Sequence, residues 1–274
     1  MLRRWFVPLA TMALVTGTWL TAGTASAASL AAHDDSAHLA LPGFSPGGPM
    51  IRPASAAGAA AAAGAAGNAA ESLNWSGYAA TGANGAFTSV SASWTEPTAT
   101  CPSSSAQYAS FWAGLDGFSS ASVEQTGTDA DCAGRTPRYY GWYEMFPAAP
   151  VNFTNTVRPG DHMSASVTFS GTETYTLVLA DSTQGWTRTV TRNQTGLDRS
   201  SAEVITEAPS SATGVLPLAD FGTVSYAVSA ANGTSLAGDS PTEIIMADAS
   251  GNQEDSTSAI SSTGAFSNTW LRSS

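Results

Sequence analysis

Met163-Ser164-Ala165-Ser166-Val167-Thr168-Phe169 alternates an apolar side chain with a small hydroxyl at every step. Successive side chains of an extended strand point to opposite faces. The stretch therefore offers Met163, Ala165, Val167 and Phe169 to a core and its hydroxyls to the other side. The same period of two returns along the chain. Tyr175, Leu177 and Leu179 share a face, as do Val90, Ala92 and Trp94, and Tyr108, Ser110 and Trp112. Phe221–Val228 and Glu243–Ala247 read as further strands. Gly, Pro, Asn and Asp separate these runs, and neither a long amphipathic helix nor an internal repeat is legible. Short alternating strands split by turn residues predict an all-β, antiparallel β-sandwich.

These runs begin only after residue 70. Before them, Arg3 and Arg4 precede an apolar stretch from about Trp5 to Ala22, and Ala25-Ser26-Ala27 has the small-x-small form of a cleavage site. That order predicts a signal peptide over 1–27, hence a secreted, extracellular protein with no membrane attachment after cleavage. Residues 28–70 hold Pro/Gly-rich sequence and then an Ala/Gly run, with almost no large apolar side chain after Phe44. Such a segment cannot build a core of its own and reads as a disordered linker or a propeptide, the latter preferred. Gly43-Phe44-Ser45-Pro46-Gly47 has the G-x-S-x-G spacing of a nucleophile elbow. It lacks the preceding strand and following helix that the elbow needs. The sandwich domain is expected over 71–274.

The chain carries 21 acids against 10 bases, all of them Arg, for a net charge of −11. Phosphate backbones and anionic bilayers are bound by clustered cations, so neither nucleic acid nor membrane is expected as a partner. Cys101 and Cys132 are the two cysteines. In an exported chain a lone pair reads as a disulfide. Its loop of about 31 residues makes closure worth about 3–4 kcal/mol.

Histidine is scarce: only His162 follows residue 70, in Gly160-Asp161-His162-Met163, which reads as a solvated turn entering a strand. A serine triad or a Cys–His dyad would have to use it. No H-E-x-x-H or paired C-x-x-C offers zinc a site, so neither metal nor cofactor is expected. Asp181-Ser182-Thr183 and Asp239-Ser240-Pro241 do not form the paired Asp-Thr/Ser-Gly elements of a pepsin-like site. Carboxylates, amides and hydroxyls are left to carry any chemistry.

Several blocks bring such groups together. They are Phe111-Trp112-Ala113-Gly114-Leu115-Asp116-Gly117, Val123-Glu124-Gln125-Thr126-Gly127-Thr128-Asp129, and Gly141-Trp142-Tyr143-Glu144-Met145-Phe146-Pro147. Ser201-Ala202-Glu203-Val204-Ile205-Thr206-Glu207 and Pro217-Leu218-Ala219-Asp220-Phe221 follow. In this order they resemble the W-x-G-x-D-G, L-Q-T-G, W-Y-E-W-Y-P, A-E-x-I-x-E and P-x-A-x-F segments of the glutamic peptidases, the eqolisins. Asn74-Trp75-Ser76-Gly77-Tyr78 resembles the start of their mature chain.

The resemblance implies a concanavalin-like sandwich of two curved sheets with a concave substrate groove. It implies a monomeric, pepstatin-insensitive acid endopeptidase acting on polypeptides. By position it makes Gln125 and Glu203 the catalytic pair, and Trp112, Asp116, Asp129, Trp142 and Glu144 the substrate-binding residues. The chain departs from the family pattern at Tyr140, at Met145-Phe146 and at Ala208-Pro209, where subsite walls would differ.

Strand parity agrees in part. It places Tyr140, Trp142, Glu144 and Phe146 on one face, and Glu203, Ile205 and Glu207 on another. Glu207 reads as an ordinary solvated strand residue, and Trp75 and Trp94 as core. A glutamate of ordinary pKa, about 4.3, would serve as base near about pH 3–4. From Glu71 on there are 19 acids and 7 Arg, so acid discharges the domain and leaves little self-repulsion. A glycosidase using Glu144 and Glu203, or a non-catalytic peptide- or glycan-binding sandwich, are the alternative readings.

Overall fold

The computed structural model describes residues 44–45, 48–54, 69–101 and 105–273. The expected signal peptide over 1–27 and most of 28–70 lie outside the described residues. So does most of the Gly43–Gly47 pattern.

Two large sheets pack face to face. The first runs β2 (Ala69–Ser72), β17 (Thr242–Met246), β3 (Trp75–Thr81), β12 (Ser201–Glu207), β5 (Ser110–Leu115), β6 (Val123–Ala133), β7 (Thr136–Phe146) and β8 (Val151–Asn152). The second runs β11 (Trp186–Asn193), β10 (Thr174–Asp181), β9 (His162–Phe169), β4 (Ser89–Thr95), β15 (Thr223–Ala231), β19 (Phe266–Trp270) and β18 (Asp255–Thr257). A short β16 (Thr234–Ser235) pairs with β15. A small third sheet joins β1 (Phe44–Ser45), β13 (Ser210–Ser211) and β14 (Gly214–Val215). Among these strands every pair is antiparallel except β2 with β17. The one helical turn among the described residues is Leu236–Asp239. None of the described helices is long and apolar enough to cross a membrane.

The alternation that decides the fold behaves as read. Met163, Ala165 and Val167 of β9, Tyr175, Leu177 and Leu179 of β10, and Val90, Ala92 and Trp94 of β4 all enter the inter-sheet core. The first sheet answers with Phe111, Ala113 and Leu115 of β5 and Ala202 and Val204 of β12. Phe111 and Phe221 meet edge to face at 5.5 Å between ring centres. Cys101 and Cys132 are bonded across their separation of 31 residues, anchoring the far end of β6. His162 opens β9 in an exposed position, as expected of a turn residue.

Three expectations shift. β15 begins at Thr223 rather than Phe221 and runs on to Ala231. Tyr108 precedes β5 and makes only an isolated bridge to Leu218. Trp75 does not join Trp94 between the sheets: it stands on the opposite face of the first sheet, edge to face with Trp112 at 4.9 Å. Parity explains the difference, since Tyr78 and Ala80 of β3 take the inward positions.

Candidate active site

The outer face of the first sheet carries a second apolar cluster. Trp75, Ala79, Trp112, Val123, Trp142, Ile205 and Ile244 form it, bordered by Phe118, Tyr140 and Phe146. Polar residues of the same parity stand among them. Glu203 and Glu207 flank Ile205 on β12, Gln125 follows Val123 on β6, and Glu144 lies between Trp142 and Phe146 on β7. The strand register sets them in one row. Glu203 pairs with Gly114, Gly114 with Gln125, and Gln125 with Glu144. Glu203 and Gln125 thus sit two strands apart, about 10 Å between backbones, with a residue lacking a side chain between them. A Cβ at Gly114 would come within 3.0 Å of the Gln125 Cβ and of the Trp112 ring.

Several members of this face are held by hydrogen bonds. The Gln125 amide donates from Nε2 to Glu144 Oε2 at 2.8 Å, which fixes which end of the amide points where. Trp142 Nε1 donates to Asp129 Oδ1 at 2.6 Å, and Trp112 Nε1 donates to Glu207 Oε2 at 2.8 Å. Asn74 Nδ2 donates to Glu207 Oε1 at 3.3 Å. Tyr140 donates to Asp131 at 2.7 Å, so the family departure at this position closes the Asp129 end of the face. Of the other departures, Met145 turns inward to the inter-sheet core while Phe146 borders the outer cluster. Glu207 is fully buried rather than solvated, because it serves as acceptor for Trp112 and Asn74 at once.

Asp116 has a structural task in this fold. It follows β5 with φ 69°, a left-handed conformation that Asp tolerates better than most residues. Its carboxylate accepts from the Arg199 and Ser200 amides at 2.7 and 2.9 Å. These amides lead directly into β12, so Asp116 fixes the approach of the strand that carries Glu203.

Electrostatics revises the expectation of an ordinary glutamate. Burial holds the Glu203 carboxyl well above the usual range, and Asp116 and Glu124 push the same way, while the Ser201 hydroxyl and the Phe118 amide partly counter them. Glu207 is raised by burial and by Glu144 and Asp129. Glu124, of the opposite parity, points between the sheets and is pushed to about 9 by burial and by Asp116. No cluster of ligating side chains suited to a metal ion occurs among the described residues.

Pro49–Arg52, from the segment expected to lack packing, also lies on this face. The Met50 amide donates to the Gly117 carbonyl at 3.1 Å, and the Ile51 carbonyl accepts from the Leu73 amide at 2.8 Å. The Ile51 amide donates to Asn74 Oδ1 at 2.7 Å, and Asn74 Nδ2 reaches the Pro49 carbonyl at 3.3 Å. Met50 is buried in the outer cluster. Gln125, Glu203, Glu144, Trp112 and Trp142 are all at 0 % exposure.

Known proteins share the family and the fold. The Peptidase A4 family profile spans residues 73–270. The chain belongs to the Peptidase A4 family. Scytalido-glutamic peptidase, solved with a transition-state analogue inhibitor, is 25 % identical with a TM-score of 0.62, covering 73 % of this chain and 98 % of that one. SCP-B, an eqolisin solved with the tripeptide Ala-Ile-His, shares the fold at 24 % identity and a TM-score of 0.58, over 73 % of this chain and 98 % of that one. Aspergilloglutamic peptidase from Aspergillus niger is 25 % identical with a TM-score of 0.52, covering 60 % of this chain and 99 % of that one. No curated protein sequence matches. By family and fold the chain is a glutamic endopeptidase.

The structure of this Peptidase A4 member adds residues that pattern reading passed over. Gly114 matters only through its place between Glu203 and Gln125, which requires the strand order. Nothing in the sequence around Asn74 signals its bonds to Glu207 and the Pro49 carbonyl. Glu207 shares the parity of Glu203, so its face was legible while its burial was not. Glu124 stands where the family block has Leu, a signal present in the sequence.

Proposed function

We propose that this peptidase is a secreted, pepstatin-insensitive acid endopeptidase in which Glu203 and Gln125 act on a water and a peptide carbonyl held above Gly114. The observation that carries this reading is the row Glu203–Gly114–Gln125–Glu144 on one sheet face. An ionised Glu203 takes a proton from water as its oxygen attacks the carbonyl carbon. An N–H of Gln125 stabilises the oxyanion that forms. The protonated Glu203 then delivers that proton to the amide nitrogen as the C–N bond breaks, giving an amine and a carboxylic acid. Gln125 does not titrate, so the pair avoids sharing one proton as two carboxylates must. Glu144 sets the amide's direction, and Asp129 and Glu207 fix the rings of Trp142 and Trp112, which wall the place of an extended peptide.

Admitting water removes the largest cause of the raised Glu203 pKa and returns it toward the acid range where a glutamate serves as base. The test is a digest of casein and of polysaccharides at about pH 3–5, with pepstatin present. Casein cleavage that pepstatin leaves intact is expected. Release of sugar with casein untouched would reject the proposal.

A further inference from the structure

We propose that Tyr140 is a positioning residue for substrate binding: its hydroxyl, bonded to Asp131, keeps a carboxylate beneath the Trp142 indole and so fixes the ring that walls the place of the peptide. This rests on the reaction proposed above Gly114, and it concerns how one wall of that site is held.

Trp142 and Tyr140 lie two residues apart on β7 and share its outer face. Across the register Trp142 opposes Gly127, and Tyr140 opposes Asp129. Gly127 has no side chain, so the indole reaches past it and donates from Nε1 to Asp129 Oδ1 at 2.6 Å. Tyr140 repeats that reach one step further along, its hydroxyl donating to Asp131 Oδ2 at 2.7 Å. Two rings of one strand are thus pinned by their polar ends to two acids of the next. Both acids are buried.

Two buried carboxyls this close oppose each other's charge. Burial raises Asp129, and the Ser110, Tyr140 and Trp142 donors work against that rise. Burial raises Asp131 too, Asp129 adds to it, and the Tyr140 hydroxyl again favours the charged form. Ser110 and Trp142 serve Asp129, and the Ala109 backbone serves Asp131, but Tyr140 serves both. Tyr140 keeps its own proton, because burial and the two acids raise it in turn. The surroundings supply little positive charge. Glu207 and Glu144 share the face, Glu96 accepts from Thr128 on the inner side of β6, and Tyr108 precedes β5. Arg138 is exposed, opposite Asp131 on β7.

A carboxylate accepts the Trp142 N–H more strongly than a neutral acid does. Water entering with substrate lessens the cost of burial, as at Glu203, while the Tyr140 donor stays. A donor that favours the charged form lowers the pKa, so the hydroxyl keeps the carboxylate down to a lower pH. The departure from the family pattern at Tyr140 thereby adapts this wall to acid.

The experiment compares the full chain with its Tyr140→Phe variant on a fluorogenic peptide from about pH 3 to 6. The Trp142 indole N–H, assigned from a Trp142→Phe spectrum, is followed by NMR over the same range. Phenylalanine keeps the ring and loses the donor. KM should rise about tenfold at about pH 3, the difference closing toward about pH 6, with kcat within about twofold throughout. The indole signal should titrate about one pH unit higher in the variant. A KM raised equally at every pH, with the indole titration unmoved, means that the ring merely packs, and overturns the proposal. Unchanged KM and unchanged indole titration also overturn it and leave the proposed reaction standing. An indole titration that moves while neither form cleaves peptide supports the Tyr140 assignment and rejects the proposed reaction.

Discussion

Glu203 and Gln125 lie in one cross-strand row, each paired directly with Gly114 on the strand between them. The sheet thus separates an ionisable from a non-ionisable group by one strand and leaves the intervening position empty of side chain. In the proposed mechanism a water and a carbonyl occupy that space, which a glycine leaves open.

Gly114→Ala tests the space. The new Cβ would press on the Gln125 Cβ and the Trp112 ring, each at 3.0 Å, and on the Glu124 carbonyl at 3.1 Å. Contacts this tight make the neighbours give by a fraction of an ångström, and a shift of that size in Gln125 should reduce kcat by about tenfold. The loss should appear in kcat more than in KM, with the fold kept by circular dichroism.

The outer face was legible in kind but not in depth. Alternation put Tyr140, Trp142, Glu144 and Phe146 on one face of β7, and Glu203, Ile205 and Glu207 on one face of β12, because period two follows from strand geometry alone. Which strands neighbour one another is long-range information, so the place of Gly114 could not be read. Burial was also hidden. Glu207 looks like a solvated strand residue until Trp112 and Asn74 are seen to use both its oxygens. Trp75 looked like core because parity does not say which of two faces is the inner one. Met50 gave no sign at all, since a single apolar residue among Gly and Pro has no periodicity.

Glu207→Ala probes that network. It leaves the Trp112 indole N–H and the Asn74 amide without their buried acceptor. Each such loss costs about 1–3 kcal/mol. A fall in Tm of several degrees is expected, whereas Glu207→Gln, which keeps an acceptor for Trp112, should lose less. Equal melting of the two variants would show that the carboxyl's hydrogen bonds contribute nothing.

Stability should decline with rising pH. Burial lifts Glu96 to about 8, Glu124 to about 9 and Asp255 to about 7, and raises Asp131, Glu203 and Glu207 as well. An acid kept neutral by the fold contributes stability that is complete below its unfolded value, about 4, and is lost as pH rises through its folded value. Tm should therefore be highest near or below about pH 4 and fall through about pH 9. Glu124→Leu, which restores an apolar group between the sheets, should flatten the upper part of that decline. A wild-type Tm that climbs from acid to alkaline pH would contradict the assignment.

The dyad itself is tested most directly by turnover of a peptide substrate at about pH 4 by chains freed of residues 28–68, comparing wild type with Glu203→Gln and Gln125→Glu. Both substitutions keep size and strand propensity, so near-native Tm is expected, with kcat reduced by about a thousandfold or more in each. Turnover within about tenfold of wild type by either folded variant would contradict the account, because the row above Gly114 would then not be where the peptide bond is broken.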